Sequence, residues 1–133
     1  MAGYGLDQSS HLDRLLEKDL LDKGIASKIT NASVSGDTSN GGLNRLNWSL
    51  QDDYDLFILG LGANDMLRGI SPETTKANLK EIIKIVQKKN IPILLTGMRA
   101  PSSYGQDYQS SFNSIYPELA KEYGLFLYPF LLE

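Results

Sequence analysis

Residues 55–68 constrain the fold of this chain more than any other stretch. Leu56–Leu61 is a short apolar run, which is typical of a strand buried on both faces of a parallel sheet. Two glycines interrupt the run, and Asn64 and Asp65 follow it directly. In open α/β sheets ligands bind beyond the carboxyl ends of the strands, and an asparagine amide held there can donate a hydrogen bond to a developing oxyanion. The segment therefore predicts a fold class, a site and a chemistry.

Helical and strand patterns alternate along the rest of the chain. Apolar residues recur at helical spacing in four segments. The first runs from a cap at Ser9 or Ser10 to Gly24, and the second contains Leu43, Leu46 and Leu50. The third runs from the Ser71 cap, with Pro72 in its first turn, to Asn90, and the fourth runs from Tyr108 to Gly124 with a kink at Pro117. Strands are predicted at Ser27–Val34, Leu56–Leu61, Ile91–Thr96 and Leu125–Tyr128. This order predicts an α/β fold with a parallel sheet and right-handed crossovers.

Composition narrows the class of protein further. A chain of 133 residues with 41% hydrophobic and 22% charged residues is predicted to form one domain over residues 1–133. Its net charge of -3 provides no basic surface for nucleic acid. The absence of cysteine excludes disulfides, thiol catalysis and thiolate metal sites. No apolar run approaches the roughly 18 residues of a membrane span, and no signal peptide is recognised, so we expect a soluble chain without stable membrane insertion.

Two segments that follow predicted strands carry the polar groups of a candidate site. In residues 35–39, Gly36 can expose its backbone N–H to a close ligand because it has no Cβ. In residues 62–65, Asn64 supplies a side-chain N–H. Together these two donors could form an oxyanion hole. The residues alone favour this interpretation no more than the alternative, in which both segments are ordinary turns rich in Gly, Asn, Asp and Ser.

The sequence gives less support to other kinds of functional site. Asp37 and Asp65 could be an acidic pair for a metal or a phosphoryl group, but no third carboxylate or lysine follows a further strand. His11, the only histidine, is expected to face solvent or to cap the first helix. The serines at 102, 103, 110 and 111 lie in no Gly-x-Ser-x-Gly motif. No phosphate-binding loop is present, and we expect neither a metal nor a cofactor.

Several segments resemble conserved blocks of the SGNH (GDSL-type) hydrolases. Asn31–Ser39, together with the run Gly42-Leu-x-Arg-Leu46, resembles the second conserved block. Leu61–Gly69 resembles the third. The bacterial branch that includes arylesterases, acyl-CoA thioesterase I and lysophospholipases is matched at Met98–Pro101, Tyr104-Gly105 and Ile115–Ala120, and Ala2–Gly5 resembles the end of the GDSL block. The resemblance extends over the whole chain in register.

The resemblance implies a three-layer α/β/α domain that hydrolyses small acyl esters or thioesters through a serine acyl-enzyme. Gly36 and Asn64 match the two donors of the family's oxyanion hole. Asp37 and Asp65 are assigned to supporting the loops that present these donors. Candidates for the wall that contacts the acyl chain are Met66, Leu67, Met98, Pro101 and Tyr104.

In the family pattern the nucleophilic serine stands two residues ahead of the position of Met1, and the Asp-x-x-His block stands after Glu133. His11 does not align with that histidine. We therefore expect the central part of an ester hydrolase, without the first strand and the C-terminal segment, and inactive when it stands alone. The pattern leaves open the acyl-chain length, the leaving group, the oligomeric state and the compartment, although family members are often exported to the periplasm.

Two alternatives come from other classes of protein. The first is a non-catalytic domain with the SGNH fold that binds acyl or glycan ligands without turnover. The second is a flavodoxin-like or receiver-like binding module. The Asn64-Asp65 segment and the segment Arg99–Pro101 both argue against the second.

Overall fold

The computed structural model describes residues 12–24, 34, 36–50 and 53–128. The chain divides into two compact units, Met1–Asp37 and Thr38–Glu133, and the single domain predicted over residues 1–133 stays a prediction. The helices and strands assigned in the described residues are α1 (Leu12–Asp22), α2 (Ser39–Ser49), β1 (Phe57–Leu59), α3 (Ala63–Leu67), α4 (Pro72–Lys88), β2 (Ile93–Thr96), α5 (Gln106–Tyr123) and β3 (Phe126–Tyr128), with a short 3₁₀ turn at Ser102–Tyr104.

The first unit contains the predicted first helix. α1 ends as expected at Gly24, which adopts a positive φ of 84° and donates its N–H to the Leu21 carbonyl at 2.9 Å. Ser9, Ser10 and His11 lie outside the described residues. So does the strand predicted at Ser27–Val34, apart from Val34 itself.

The second unit is built on a parallel sheet. Its strands are ordered β1-β2-β3, with Leu59 paired to Leu95 and Leu95 paired to Leu127. The parallel α/β class is thereby confirmed. The strands are shorter than the apolar runs, and Leu56 and Phe126 at two of their ends are exposed. Three of the four predicted strands are present, because the fourth falls in the residues that are not described.

Helix α4 agrees with its local signals almost residue for residue. Ser71 caps it by accepting a hydrogen bond from the Thr74 N–H at 3.2 Å, and Pro72 occupies the first turn. The predicted apolar stripe is fully buried between neighbouring elements and comprises Leu79, Ile82, Ile83 and Val86. The helix ends at Lys88, just before Asn90, which adopts a positive φ of 59°.

Helix α5 begins at Gln106, two residues earlier than predicted. It continues through Pro117 to Tyr123 as predicted, and the kink at Pro117 stays a prediction. A proline inside a helix lacks one N–H donor, but the buried residues on both sides of it, Tyr116 and Leu119, hold the helix against the core. It stops as predicted at Gly124, which is left-handed with φ 66°.

Helix α3 was not predicted, and it corrects the placement of Asn64 and Asp65 in a loop. Gly62 turns the chain with φ 124°. One helical turn then closes through hydrogen bonds from the Met66 N–H to the Gly62 carbonyl at 3.1 Å and from the Arg68 N–H to the Asn64 carbonyl at 3.0 Å. Five residues are too few to show a helical period in the sequence.

One apolar core lies in the second unit, where α2 packs against α4 and α4 against α5. Among the described residues, no helix is long and apolar enough to cross a membrane. The buried apolar residues are Leu46, Leu50, Leu59, Leu79, Ile82, Ile83, Val86, Ile91, Ile93, Leu95, Ala100, Phe112, Ile115, Tyr116, Leu119 and Ala120.

We expect Ile83→Ala to lower the free energy of unfolding by about 2–5 kcal/mol, because it removes methylene groups from a fully buried position and leaves a cavity. The matched control is Ile85→Ala on the same helix, where the side chain is only half-buried. Chemical denaturation of both variants measures the difference. Equal losses would contradict the packing of α4 described above.

Candidate active site

Two connecting segments that carry predicted site residues begin at the same edge of the sheet. β1 and β2 are adjacent and parallel, so the segments that leave their carboxyl ends, residues 60–65 and 97–101, start side by side. The Thr96 hydroxyl donates a hydrogen bond to the Leu59 carbonyl at 3.2 Å and joins the two ends directly. In parallel sheets this edge is where ligands bind.

The turn that leads from β1 to Asn64 is closely packed against α5. The Tyr116 hydroxyl donates a hydrogen bond to the Leu61 carbonyl at 2.7 Å. At Gly62 an added Cβ would collide with that hydroxyl, and the positive φ of this residue also favours glycine. Glycine is therefore required at position 62 both by the backbone conformation and by the tyrosine.

Asn64 itself lies in the first turn of α3 and is half-buried. It comes two residues after the Gly62 turn and directly before Asp65. Its backbone carbonyl accepts from the Arg68 N–H, so its position is set by the short helix. The predicted oxyanion donor is thus placed on a turn of regular structure, at the sheet edge where ligands bind.

The carboxylate of Asp65 is completely buried and lies at the junction of three helices. One oxygen accepts from the Ser39 backbone N–H of α2 at 2.7 Å. The other accepts from the Ser39 hydroxyl and from the Thr75 hydroxyl of α4, the latter at 2.8 Å. Asn78 adds a further link, because its side-chain amide donates to the Ser39 hydroxyl at 3.1 Å. A buried carboxylate is stable only with such donors, and these join α3 to both α2 and α4.

Gly36 and Asp37 belong to the first unit. Gly36 is exposed and has φ 78°, in the region that favours glycine. The Asp37 N–H donates to the Val34 carbonyl at 3.1 Å, which closes a turn around Gly36. Gly36 has no Cβ of its own, which is what the predicted role requires.

The first three predicted wall residues differ in exposure. Met66 and Met98 are half-buried and pack against the core. Leu67, at the end of α3, is 67% exposed. An apolar side chain this exposed beside a predicted site is consistent with a ligand contact, and its role stays a prediction.

The other two are Pro101, which directly precedes the 3₁₀ turn, and Tyr104, which is its last residue. Both are exposed, Tyr104 to 38%. The Tyr104 ring stacks on Tyr108 of α5, with ring centroids 5.6 Å apart. Tyr104 is therefore the outermost member of an aromatic stack, and it presents a ring face that is held in place from behind.

Helix α5 makes hydrogen bonds to the segment that follows β1 and to the segment that follows β2. The sequence interpretation did not predict these contacts. Asn113 accepts from the Ala100 N–H at 2.7 Å, and Gln109 donates to the Ala100 carbonyl at 3.1 Å. Tyr108 donates its hydroxyl to the Ile70 carbonyl, just after α3, at 3.0 Å. The spacing of four between Tyr108, Phe112 and Tyr116 was visible in the sequence as one face of the predicted helix. The carbonyls that the hydroxyls reach were not.

Two tyrosines of this face, the buried Tyr116 and the half-buried Tyr108, are hard to ionise. Burial raises the pKa of Tyr116 well above its usual range, and the nearby charge of Asp65 raises it further. The pKa of Tyr108 is raised by the same two causes, with burial again the larger. Both hydroxyls therefore remain donors to their carbonyl partners at neutral pH. In the part of the chain that the structure describes, no group of three acidic or histidine side chains could hold a metal ion.

The GDSL-like Lipase/Acylhydrolase family matches residues 1–132, and the chain belongs to this family. It is 40% identical to Thioesterase 1/protease 1/lysophospholipase L1 of Escherichia coli strain K12, over 99% of this chain and 62% of that protein. It is 38% identical to Esterase TesA of Pseudomonas aeruginosa, over 99% of this chain and 66% of that protein. The chain thus spans less than two thirds of the length of these relatives.

Among solved structures the chain is similar to AlinE4, an SGNH-hydrolase family esterase. The TM-score is 0.96 at 47% identity, and the match covers 98% of this chain and 71% of AlinE4. The SGNH-hydrolase fold inferred from the sequence blocks is therefore confirmed.

We expect Asp65→Ala to lower the free energy of unfolding by at least about 3 kcal/mol. It would leave three buried donors, one N–H and two hydroxyls, without their acceptor, and each costs about 1–3 kcal/mol. Asp65→Asn should cost less, since one oxygen remains. Asp53→Ala, at an exposed aspartate, is the control in chemical denaturation. A loss no larger than that of the control would show that the network does not support α3.

Tyr116 should also make stability depend on alkaline pH. Below pH 10.0, the usual pKa, the tyrosine is protonated whether the chain is folded or unfolded, and stability is unaffected. Above it only the unfolded chain loses the proton, so the free energy of unfolding should fall with pH, by up to about 1.4 kcal/mol per unit. Denaturation at several values between about pH 9 and 11 should show a shallower decline for Tyr116→Phe than for the unmodified chain. Parallel declines would refute the assignment.

Proposed function

We propose that this chain provides the oxyanion hole and part of the substrate site of a hydrolase that cleaves carboxylic esters or thioesters through a serine acyl-enzyme. The observation that carries the proposal is the placement of Asn64. It follows a glycine turn held by Tyr116 and precedes a carboxylate held by Ser39 and Thr75. A donor anchored on both sides is preorganised, and preorganised donors stabilise charge that develops in a transition state. Family membership and the names of the relatives support the same activity.

The proposed reaction has two halves. A serine hydroxyl attacks the acyl carbon while a histidine takes its proton, and the carbonyl oxygen becomes an oxyanion. The Gly36 N–H and the Asn64 side-chain N–H donate to that oxygen. The carbon–oxygen or carbon–sulfur bond then breaks, and the alcohol or thiol leaves with the proton. Water releases the acid and regenerates the serine. In this proposal the serine and the Asp-x-x-His pair are those of the family pattern.

The proposed substrate is a small acyl ester or thioester. The relatives carry the names thioesterase, lysophospholipase and esterase, which share an acyl group and differ in the leaving group. We assign the acyl-chain contacts to an apolar set on both segments at the sheet edge, namely Met66, Leu67, Met98, Pro101 and Tyr104. Asp37 and Asp65 act by holding the segments that carry Gly36 and Asn64. In this proposal residues 1–133 belong to one domain.

Asn64→Ala should lower kcat by about 10²–10³ and leave KM nearly unchanged, because its amide pairs with charge that exists mainly in the transition state. The measurement uses the chain joined to a first strand that ends in Gly-Asp-Ser-Leu ahead of residue 1 and to an Asp-x-x-His segment after residue 133. The substrates are p-nitrophenyl esters of short acyl chains. Asn44→Ala is the control, since Asn44 is an exposed asparagine on α2.

The outcome separates the proposal from its rival. An unchanged kcat in Asn64→Ala would refute the oxyanion assignment. Saturable binding of the ester without turnover, in a protein that carries the serine and histidine segments, would favour a non-catalytic domain that binds acyl ligands. Asp37→Asn should lower kcat less than Asn64→Ala, because Asp37 acts on the loop and not on the oxyanion.

A further inference from the structure

The hydroxyl of Tyr116 is placed against the turn that leads to Asn64. The side chain is 1% exposed, and its hydroxyl donates to the Leu61 carbonyl at 2.7 Å. The same oxygen occupies the space in which a Cβ of residue 62 would lie. The tyrosine therefore contacts the two residues that determine where the chain enters α3.

Core packing by itself does not account for the hydroxyl. The ring packs edge to face on Phe112, with centroids 5.9 Å apart, and phenylalanine would fill the same volume. A tyrosine hydroxyl at this depth must have a hydrogen-bond partner. Its partner here is a carbonyl in the segment between β1 and α3, three residues before Asn64.

The ring that carries this hydroxyl is itself held rigidly. Tyr116 lies on an 18-residue helix, at the inner end of a continuous series of ring contacts that passes through Phe112 and Tyr108. Phe112 is fully buried. The hydroxyl therefore belongs to a buried, well-packed side chain, and its hydrogen bond can determine the position of the turn.

We propose that Tyr116 is a positioning residue for Asn64. Its hydroxyl fixes the chain at Leu61 and Gly62, while the Asp65 carboxylate fixes it on the other side through Ser39 and Thr75. Asn64 lies between these two anchors. The inference rests on the proposed function for its catalytic meaning, because it is the oxyanion donor that is being positioned. Catalysis is sensitive to such placement, since a displacement of about 1 Å can cost about 10²-fold in rate.

The test uses the chain as it is, labelled with ¹⁵N. Two signals report on the turn: the Asn64 side-chain amide, identified by its loss in Asn64→Ala, and the backbone amide of Met66, which donates to the Gly62 carbonyl. In Tyr116→Phe we expect the Asn64 amide signals to shift or broaden and the Met66 amide to exchange with solvent about tenfold faster, as the loss of one hydrogen bond predicts. The Thr75 amide at the start of α4, which donates to Ser71, should exchange as before.

Tyr123→Phe is the matched control, because it makes the same chemical change on the same helix at a half-buried site two turns away. It should leave both reporters unchanged. If Tyr116→Phe fails to fold, Gly62→Ala carries the test, since its Cβ presses on the same hydroxyl while the ring is retained. Gly69→Ala is its control for the strain of a side chain at positive φ, because a Cβ there meets no atom within 4 Å. Gly62→Ala should disturb the same two reporters more than this control does.

Tyr116 would be a packing residue only if its replacement lowered the melting temperature but left the Asn64 and Met66 signals as they were. That result overturns the inference. Neither reporter depends on turnover, so a failure of the proposed function would register separately, as an unchanged kcat in Asn64→Ala.

Discussion

The buried carboxylate of Asp65 is the interaction on which the rest of the candidate site depends. Removing a charge from water is costly, and here the cost is offset by an N–H and two hydroxyls from α2 and α4. Because Ser39 and Thr75 are distant in sequence, these bonds can form only when both helices are in place. The short helix α3, which has too few residues to be stable by itself, is thereby held by tertiary contacts, and Asn64 with it.

Helix α5 supplies the second constraint, since it binds both segments that leave the sheet. Asn113 and Gln109 hold Ala100, while Tyr108 and Tyr116 donate to carbonyls on either side of α3. One helix therefore sets the spacing between the segment of the proposed oxyanion donor and the candidate acyl-chain wall. The same stack of rings that buries apolar surface also delivers these hydroxyls. The aromatic face of α5 therefore contributes both to the packing of the core and to the geometry of the candidate site.

Elements with local signals were predicted well. α4 carries its own cap, a proline in the first turn and an apolar stripe from Leu79 to Val86, so nothing distant was needed to place it. The parallel strands were recognised from apolar runs but came out shorter, because pairing with a neighbour and not hydropathy decides where a strand ends. α3 was missed, and Asn64 and Asp65 were assigned to a loop, since one turn of helix has no period. The residues of the site were named from the family blocks, and their catalytic roles stay predictions.

The sequence by itself determined the fold class, the family and the residue types of the candidate site, because strand runs, helix periods and conserved blocks are local patterns. It also has glycine at position 62, but the reason for that glycine cannot be inferred from the sequence. Only the tertiary structure decided that a tyrosine from α5 occupies the space beside that glycine. Likewise, it alone decided that Asp65 is buried among donors from two other helices. Contacts between residues 26 to 55 positions apart leave no local pattern, because they arise when elements formed independently pack on one core.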